Sequence, residues 1–258
     1  VSSTAKTNIE NCIRRAGYDV DRVMVKSIAA AKAVMLEDEL EIGSLLIDLG
    51  GGSTDVVVLM KGAPICTFSI PILSNHVTKD IKKKKKITWD TAEKIKLKSG
   101  CCWEPLIDKY EEIIIPGIGG RGPEAISRNE ICEIIQARME ELFNLIRSEV
   151  EKRTKITYFP GNIVFVGGGA QLLGVAELAQ YVFNTSAIRL GVSNNLGGIV
   201  DEYRKPEYAT AVGLVVGNID LRKHIDTKRS KKYNEFGDSN QNDVSMWKKM
   251  KQFFSEFF

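Results

Sequence analysis

The apolar residues of this chain change period several times, and each change predicts an element. Leu45, Leu46 and Ile47 form a short unbroken run closed by Asp48; Gly50, Gly51, Gly52 and Ser53 follow; Asp55 then opens a second, β-branched run over 56–59. Apolar runs of that length bounded by glycine read as buried strands, so residues 44–60 predict a hairpin with glycines at its tip. Upstream, Ile9, Cys12, Ile13 and Ala16 stand at i, i+3, i+4 and i+7, the spacing of an amphipathic helix that Gly17 stops. A chain that begins inside such a helix is expected to be the later part of a longer one. Residues 20–26 read as a strand, and Ser27 as the cap of an alanine-rich helix over 28–37.

Downstream, 64–71 predicts another strand, with His76 in a polar loop after it. A helix over 91–98 places Glu93 and Lys96 on one face, since residues three apart are neighbours on a helix. A short strand at 113–115 and a glycine-rich turn at 116–123 lead to a long helix. It starts at Arg128 or Asn129 and runs to about residue 152, with Ile131, Ile134, Ile135, Met139, Leu142, Phe143 and Ile146 as its stripe. Arg128 and Arg138 fall outside the stripe, where a partner can reach them. Residues 163–170 read as strand then glycine turn (Gly167, Gly168, Gly169), followed by a helix over 171–182. A helix rich in small residues spans 206–216, ended by Gly217.

Composition changes this picture only at the C-terminus. The 258 residues are 43% hydrophobic and 27% charged, ordinary for a globular chain of one or two domains. Five cysteines, an odd number without CxxC spacing, argue against a disulfide framework and a zinc site and fit a reducing cytosol. The net charge of +3 lies wholly after residue 218, where nine basic residues face six acidic ones; the rest is balanced, so no nucleic-acid partner is expected. Residues 219–244 are polar and predict a disordered linker. Met246, Trp247, Met250, Phe253, Phe254, Phe257 and Phe258 then recur at helical spacing, with lysines beside them, the pattern of an amphipathic helix lying on an anionic lipid surface. The plainer alternative is a helix docked on protein.

The glycine hairpin carries the candidate chemistry. Glycines lack a Cβ, so their backbone is free to take φ > 0 and approach a bulky anion, and several N–H groups facing one concavity favour phosphate. A P-loop is excluded because no Gly-Lys-Ser/Thr leads into a helix, and a Rossmann loop because the third glycine is missing. Asp48, beside the phosphate position, suits the waters of a Mg²⁺ ion. For the lysine run 82–86, a solvated face is the expectation.

Taken together, IDLGGGSTD, TAEKIK, VFVGGGAQL, PEYATAVGL and WKKMKQFFSEFF, in that order, resemble the FtsA family of actin-like, ATP-binding proteins that tether FtsZ filaments to the bacterial membrane at the division septum. The resemblance implies an α/β, actin-like (ribonuclease H-like) ATPase fold with an inserted α+β subdomain and a C-terminal amphipathic helix. Its parts would be a first-domain remnant over 1–41, a second core subdomain over 42–80 and 161–200, and a partner-binding insertion over 81–160. A return helix over 201–218, the linker and a membrane helix over 245–258 would follow. It also implies that Gly50, Gly51, Gly52 and Ser53 contact the phosphates of ATP, that Glu93 and Lys96 meet the ribose, and that Gly167, Gly168 and Gly169 face adenosine. Asp48 would organise Mg²⁺, with Asp48 and Asp55 as the candidate catalytic carboxylates. By the same resemblance, the helix bearing Arg128 and Arg138 lies in the part that receives the FtsZ C-terminal tail, and the protein polymerises with itself and meets other division proteins on the cytoplasmic face of the membrane. The family's first phosphate loop has no counterpart here, so weak ATP binding and no measurable hydrolysis are expected of these 258 residues. Where the family usually carries Glu-Pro-Leu-Ala, this chain has Lys26, Ser27, Ile28 and Ala29. The competing readings are a small-molecule kinase or phosphatase of the same superfamily, and a pilus-assembly relative that needs no tail helix.

Overall fold

The computed structural model describes residues 3–72, 74–108, 110–116, 122–193, 197–198 and 200–219. They include a five-stranded mixed sheet. β1 (Ser44–Leu49) pairs antiparallel with β2 (Thr54–Met60), which pairs antiparallel with β3 (Ala63–Ile70). On its other side β1 pairs parallel with β6 (Ile163–Val166), and β6 with β7 (Ile188–Leu190). The spatial order is therefore β3-β2-β1-β6-β7, with β1 at the centre and every one of its residues buried. The predicted hairpin is present, and its continuous apolar runs are explained by cover on both faces.

One face carries α4 (Ser74–Lys85), α5 (Trp89–Ser99), α6 (Arg128–Thr154) and α7 (Val175–Phe183). Leu45, Ile47, Leu49, Val56 and Val58 join Ile81, Ile95 and the α6 stripe (Ile131, Ile135, Met139, Leu142, Phe143, Ile146) in one buried cluster. The opposite face is covered by α2 (Lys26–Val34), in which Ala29, Ala30 and Ala33 are fully buried, and by residues 209–214 of a helix assigned over 209–219. Between α5 and α6 in chain order, a two-stranded antiparallel ribbon joins β4 (Glu112–Ile115) and β5 (Glu124–Ser127). By clustering, the chain divides into a unit spanning Val1–Leu214 and a second spanning Val215–Phe258.

Several local expectations are corrected. Residues 20–25 form no strand: α2 follows extended backbone and starts at Lys26, one residue before the expected cap. Ser27 lies inside that helix, where its hydroxyl is shared with Thr67 Oγ1 at 3.1 Å, so its polar atom serves a tertiary contact and not a cap. The helix ends at Val34, and Glu37 begins a separate α3 (Glu37–Ile42), because Met35 and Leu36 are extended. His76 sits in α4, not in a loop. β5 occupies the four residues between the expected turn and α6, for which no element was expected. The helix expected from residue 171 begins only at Val175; a single 3-10 turn, Gly168–Gln171, comes first. Gly217 lies within helical residues and does not end them. The membrane-helix residues, Met246 to Phe258, lie outside the described residues. No helix among the described residues is long and apolar enough to cross a membrane.

Candidate functional site: a cleft at the end of the central strands

Strand register places Asp48 of β1 directly opposite Asp55 of β2. Like charges in that position repel, and a cation stands between them. Lys26, the first residue of α2, holds Nζ 3.2 Å from Asp48 Oδ2 and 3.0 Å from Asp55 Oδ2. The Asp48 side chain is only 3% exposed and also accepts from the Thr210 hydroxyl at 3.3 Å. Burial pushes the Asp48 carboxyl above its ordinary range, a shift that Lys26 opposes without cancelling. For Lys26 burial acts downward, yet the two aspartates outweigh it and hold the ammonium above its usual value.

The glycine turn joins these carboxylates. Gly50 N–H donates to Ser53 O at 3.2 Å, and Asn75 N–H donates to Gly51 O at 3.0 Å, which ties the turn to the start of α4. None of Gly50, Gly51 and Gly52 takes the left-handed φ that the sequence left open to them. What they provide is space. A Cβ on Gly51 or Gly52 would meet nothing within 4 Å, whereas one on Gly50 would lie 2.9 Å from Ser53 O and 3.2 Å from Lys26 Nζ. Ser53 Oγ reaches Asp55 Oδ2 at 3.4 Å.

Gly167 makes the approach of β6 possible. Its φ is +85°, and a Cβ there would sit 2.5 Å from Asp48 Oδ1 and 2.5 Å from Leu49 O; only glycine combines that conformation with that proximity. A Cβ on Gly169 would stand 3.0 Å from Leu49 O, while one on Gly168 would meet nothing. Facing this turn, Lys96 of α5 is buried and donates to Ser74 Oγ at 2.6 Å, Thr78 Oγ1 at 3.0 Å and Glu93 Oε2 at 2.8 Å. Burial works to raise Glu93, but Lys96 and Thr78 prevail and hold its carboxyl below the usual range.

A cavity of about 420 Å³ lies among Leu49, Ser74, Lys96, Gly168, Gly169 and Leu172, a volume within the usual range for small-molecule sites. Lys96 and the second glycine turn therefore line the same cavity. Its Ser74 adjoins Asn75, which holds the turn of β1 and β2. Arg128, expected to face a partner, lines this same cavity; its Nε donates to Ser99 O at 2.9 Å and its Nη1 to Glu111 Oε2 at 2.7 Å. Arg138 lies on a different groove, paired with Asp80 at 2.6 Å and with Glu141.

A magnesium ion does not fit the carboxylates as the residues stand. The Oδ2 atoms of Asp48 and Asp55 are both turned to the Lys26 ammonium, which occupies the place between them. Lys26, Ser74, Thr78 and Thr210 are the site residues that sequence reading missed. Only Lys26 gave a signal: a cation where the resembled pattern carries an acid.

A sequence model for "Cell division protein FtsA" matches residues 45–213, more than half of the chain. A curated relative from Pseudomonas aeruginosa, also described as cell division protein FtsA, is 37% identical over 212 residues, covering 82% of this chain and 51% of its own length. One from Borreliella burgdorferi is 38% identical over 231 residues, covering 89% and 54% respectively. The chain thus spans about half the length of the curated relatives it matches. Among solved structures, MreB5 of Spiroplasma citri bound to ADP superposes with a TM-score of 0.66 at 19% identity, over 88% of this chain and 68% of that one, a likeness of fold. With the strand order, the two glycine turns and these matches in agreement, the chain belongs to the FtsA family of actin-like cell-division proteins.

Proposed function

We infer that this chain binds an adenine nucleotide in the cleft at the ends of β1 and β6, and that nucleotide binding serves assembly of a division filament more than turnover. The observation that carries this reading is the single cavity bordered by Lys96 on one side and Gly168 and Gly169 on the other. In it, adenosine lies against the backbone of residues 167–169 and the ribose meets the Glu93–Lys96 pair. The phosphates extend past Ser74 to Gly50, Gly51, Gly52 and Ser53. The ligand of the MreB5 neighbour, ADP, is of the same chemical class. Asp48 and Asp55 serve this site by holding Lys26 in place. Neither carboxylate is free to act as a base while it does so.

The remaining parts of the reading follow from family membership and from the tail sequence. The groove of Arg138 carries Lys83 and Lys84 of α4 together with Asp80, Glu133 and Glu141; by family membership it is the candidate site for the FtsZ C-terminal tail, and Arg128 then belongs with the nucleotide. Residues 245–258 rest reversibly on anionic lipid at the cytoplasmic face of the division site, and polymer formation multiplies that weak contact. The deciding experiment is titration of the chain with adenosine, ADP and ATP. Saturable binding that Lys96→Met weakens supports the cleft, and absence of binding at millimolar ligand overturns it. Flotation with anionic vesicles, with and without residues 245–258, tests the tether independently; equal flotation of the two removes it.

A further inference from the structure

The cation between the two aspartates belongs to this chain's own backbone of site residues. Lys26 Nζ lies 3.2 Å from Asp48 Oδ2, 3.0 Å from Asp55 Oδ2, and 3.2 Å from where a Cβ on Gly50 would stand, so the ammonium sits against the glycine turn. An ammonium has three N–H donors. Among the described residues its acceptors are Asp48 and Asp55, which leaves one, and the side chain is 42% exposed and open to a ligand. Its position is also unusual for a helix. A cation at the first residue of α2 stands at the positive end of the helix dipole. The two aspartates compensate for that, and an anion on the turn would compensate further.

We propose that Lys26 is the counter-cation of the phosphate end: it donates its remaining N–H to the terminal phosphate of a bound adenine nucleotide, so that this chain binds the polyphosphate without a divalent metal. This rests on the reading that the turn at 50–53 holds phosphates. The ammonium takes the place at Asp48 that a metal ion would need, and a lysine anchored to two carboxylates is already ordered before the ligand arrives. Backbone N–H groups of the turn and this single cation then share the phosphate charge.

The test is calorimetric titration of the complete 258-residue chain with adenosine and with ADP, each in magnesium buffer and in EDTA. ADP is expected to bind at least about tenfold more tightly than adenosine, the scale of one added charged hydrogen bond, and that advantage should change less than about twofold when magnesium is removed. Lys26→Gln should lose the advantage in EDTA and regain it in magnesium, because Asp48 and Asp55 are then free to hold the metal; Lys26→Arg should keep it in both. Unchanged adenosine binding in both variants reports an intact cleft. Wild-type ADP binding that collapses in EDTA overturns the proposal and leaves the nucleotide reading standing, as does a Lys26→Gln chain that matches wild type in EDTA. Adenosine and ADP binding equally, or neither binding, overturns the phosphate reading and the proposal together.

Discussion

Lys96 shows how much of the local structure one buried side chain can hold together. Its ammonium is buried against Ser74, Thr78 and Glu93. Replacing it by methionine keeps most of the volume but removes one donor from Glu93, which retains Thr78, and the donor shared by the Ser74 and Thr78 hydroxyls. Loss of one partner from such a group costs about 2–3 kcal/mol, and Lys96→Met should lower the denaturation midpoint accordingly. Glu39 is a comparable case away from the cleft, accepting from Leu36 N–H at 2.9 Å and from Asn162 and Arg189 at 2.6 Å each. Burial pushes its carboxyl up, but these donors outweigh it and hold it below the usual 4.5. An acid whose folded value is depressed contributes stability above its unfolded value and loses it as pH falls through the folded one. Glu93 acts in the same sense. Asp48, whose carboxyl is raised, acts in the opposite one, because protonation there favours the fold as pH falls. Glu149, held low by Arg153 at the surface, also acts in the first sense, and three depressed acids against one raised predict net loss of stability on acidification. Urea midpoints taken from about pH 6 down to pH 3 should fall for wild type and fall less steeply for Glu39→Gln; parallel slopes would remove Glu39 from this account.

Elements here meet through small residues, and glycine marks the tightest crossings. A Cβ on Gly213 would overlap the carbonyl oxygen of Ala29, so α2 and residues 209–214 pack backbone against backbone. Gly213→Ala should destabilise by about 1–3 kcal/mol or more, the range for overpacking a site that cannot yield. Gly168→Ala should be nearly silent in stability, since nothing lies within 4 Å of its Cβ position; thermal melts of the two variants make the comparison. This scale also shows what the sequence disclosed. The hairpin was legible from two unbroken apolar runs on either side of its glycines, and α6 from an apolar stripe that repeats at helical period over a full face. α2 was started two residues late and overextended because alanines carry little periodic signal, and Ser27 looked like a cap while its hydroxyl was engaged by Thr67. β5 was missed because four residues of edge ribbon, two of them exposed, leave no pattern distinct from a turn.

At the scale of the whole chain, the shared cleft was legible only as separate motifs. Sequence order could not bring Lys26 to Asp48 and Asp55, since that meeting depends on α2 crossing the ends of β1 and β2. One element stands outside the cooperative core. α1 (Ser3–Arg15) has the apolar spacing of a packed helix, yet none of its residues is buried, and Ile9 is 58% exposed. A helix of 13 residues is marginal on its own, because isolated helices shorter than about 12–15 residues gain too little from propagation to offset nucleation. With Ile13 its only half-buried apolar residue, the packing term that could hold it is small. Native-state hydrogen exchange should therefore find α1 amides exchanging within about tenfold of free-chain rates while those of β1 remain protected to the level of global unfolding. Deleting residues 1–17 should shift the melting temperature by less than about 2 °C, because no core contact is lost. Slow exchange in α1 together with a drop of several degrees on deletion would show that the helix shares in the core's cooperative unfolding.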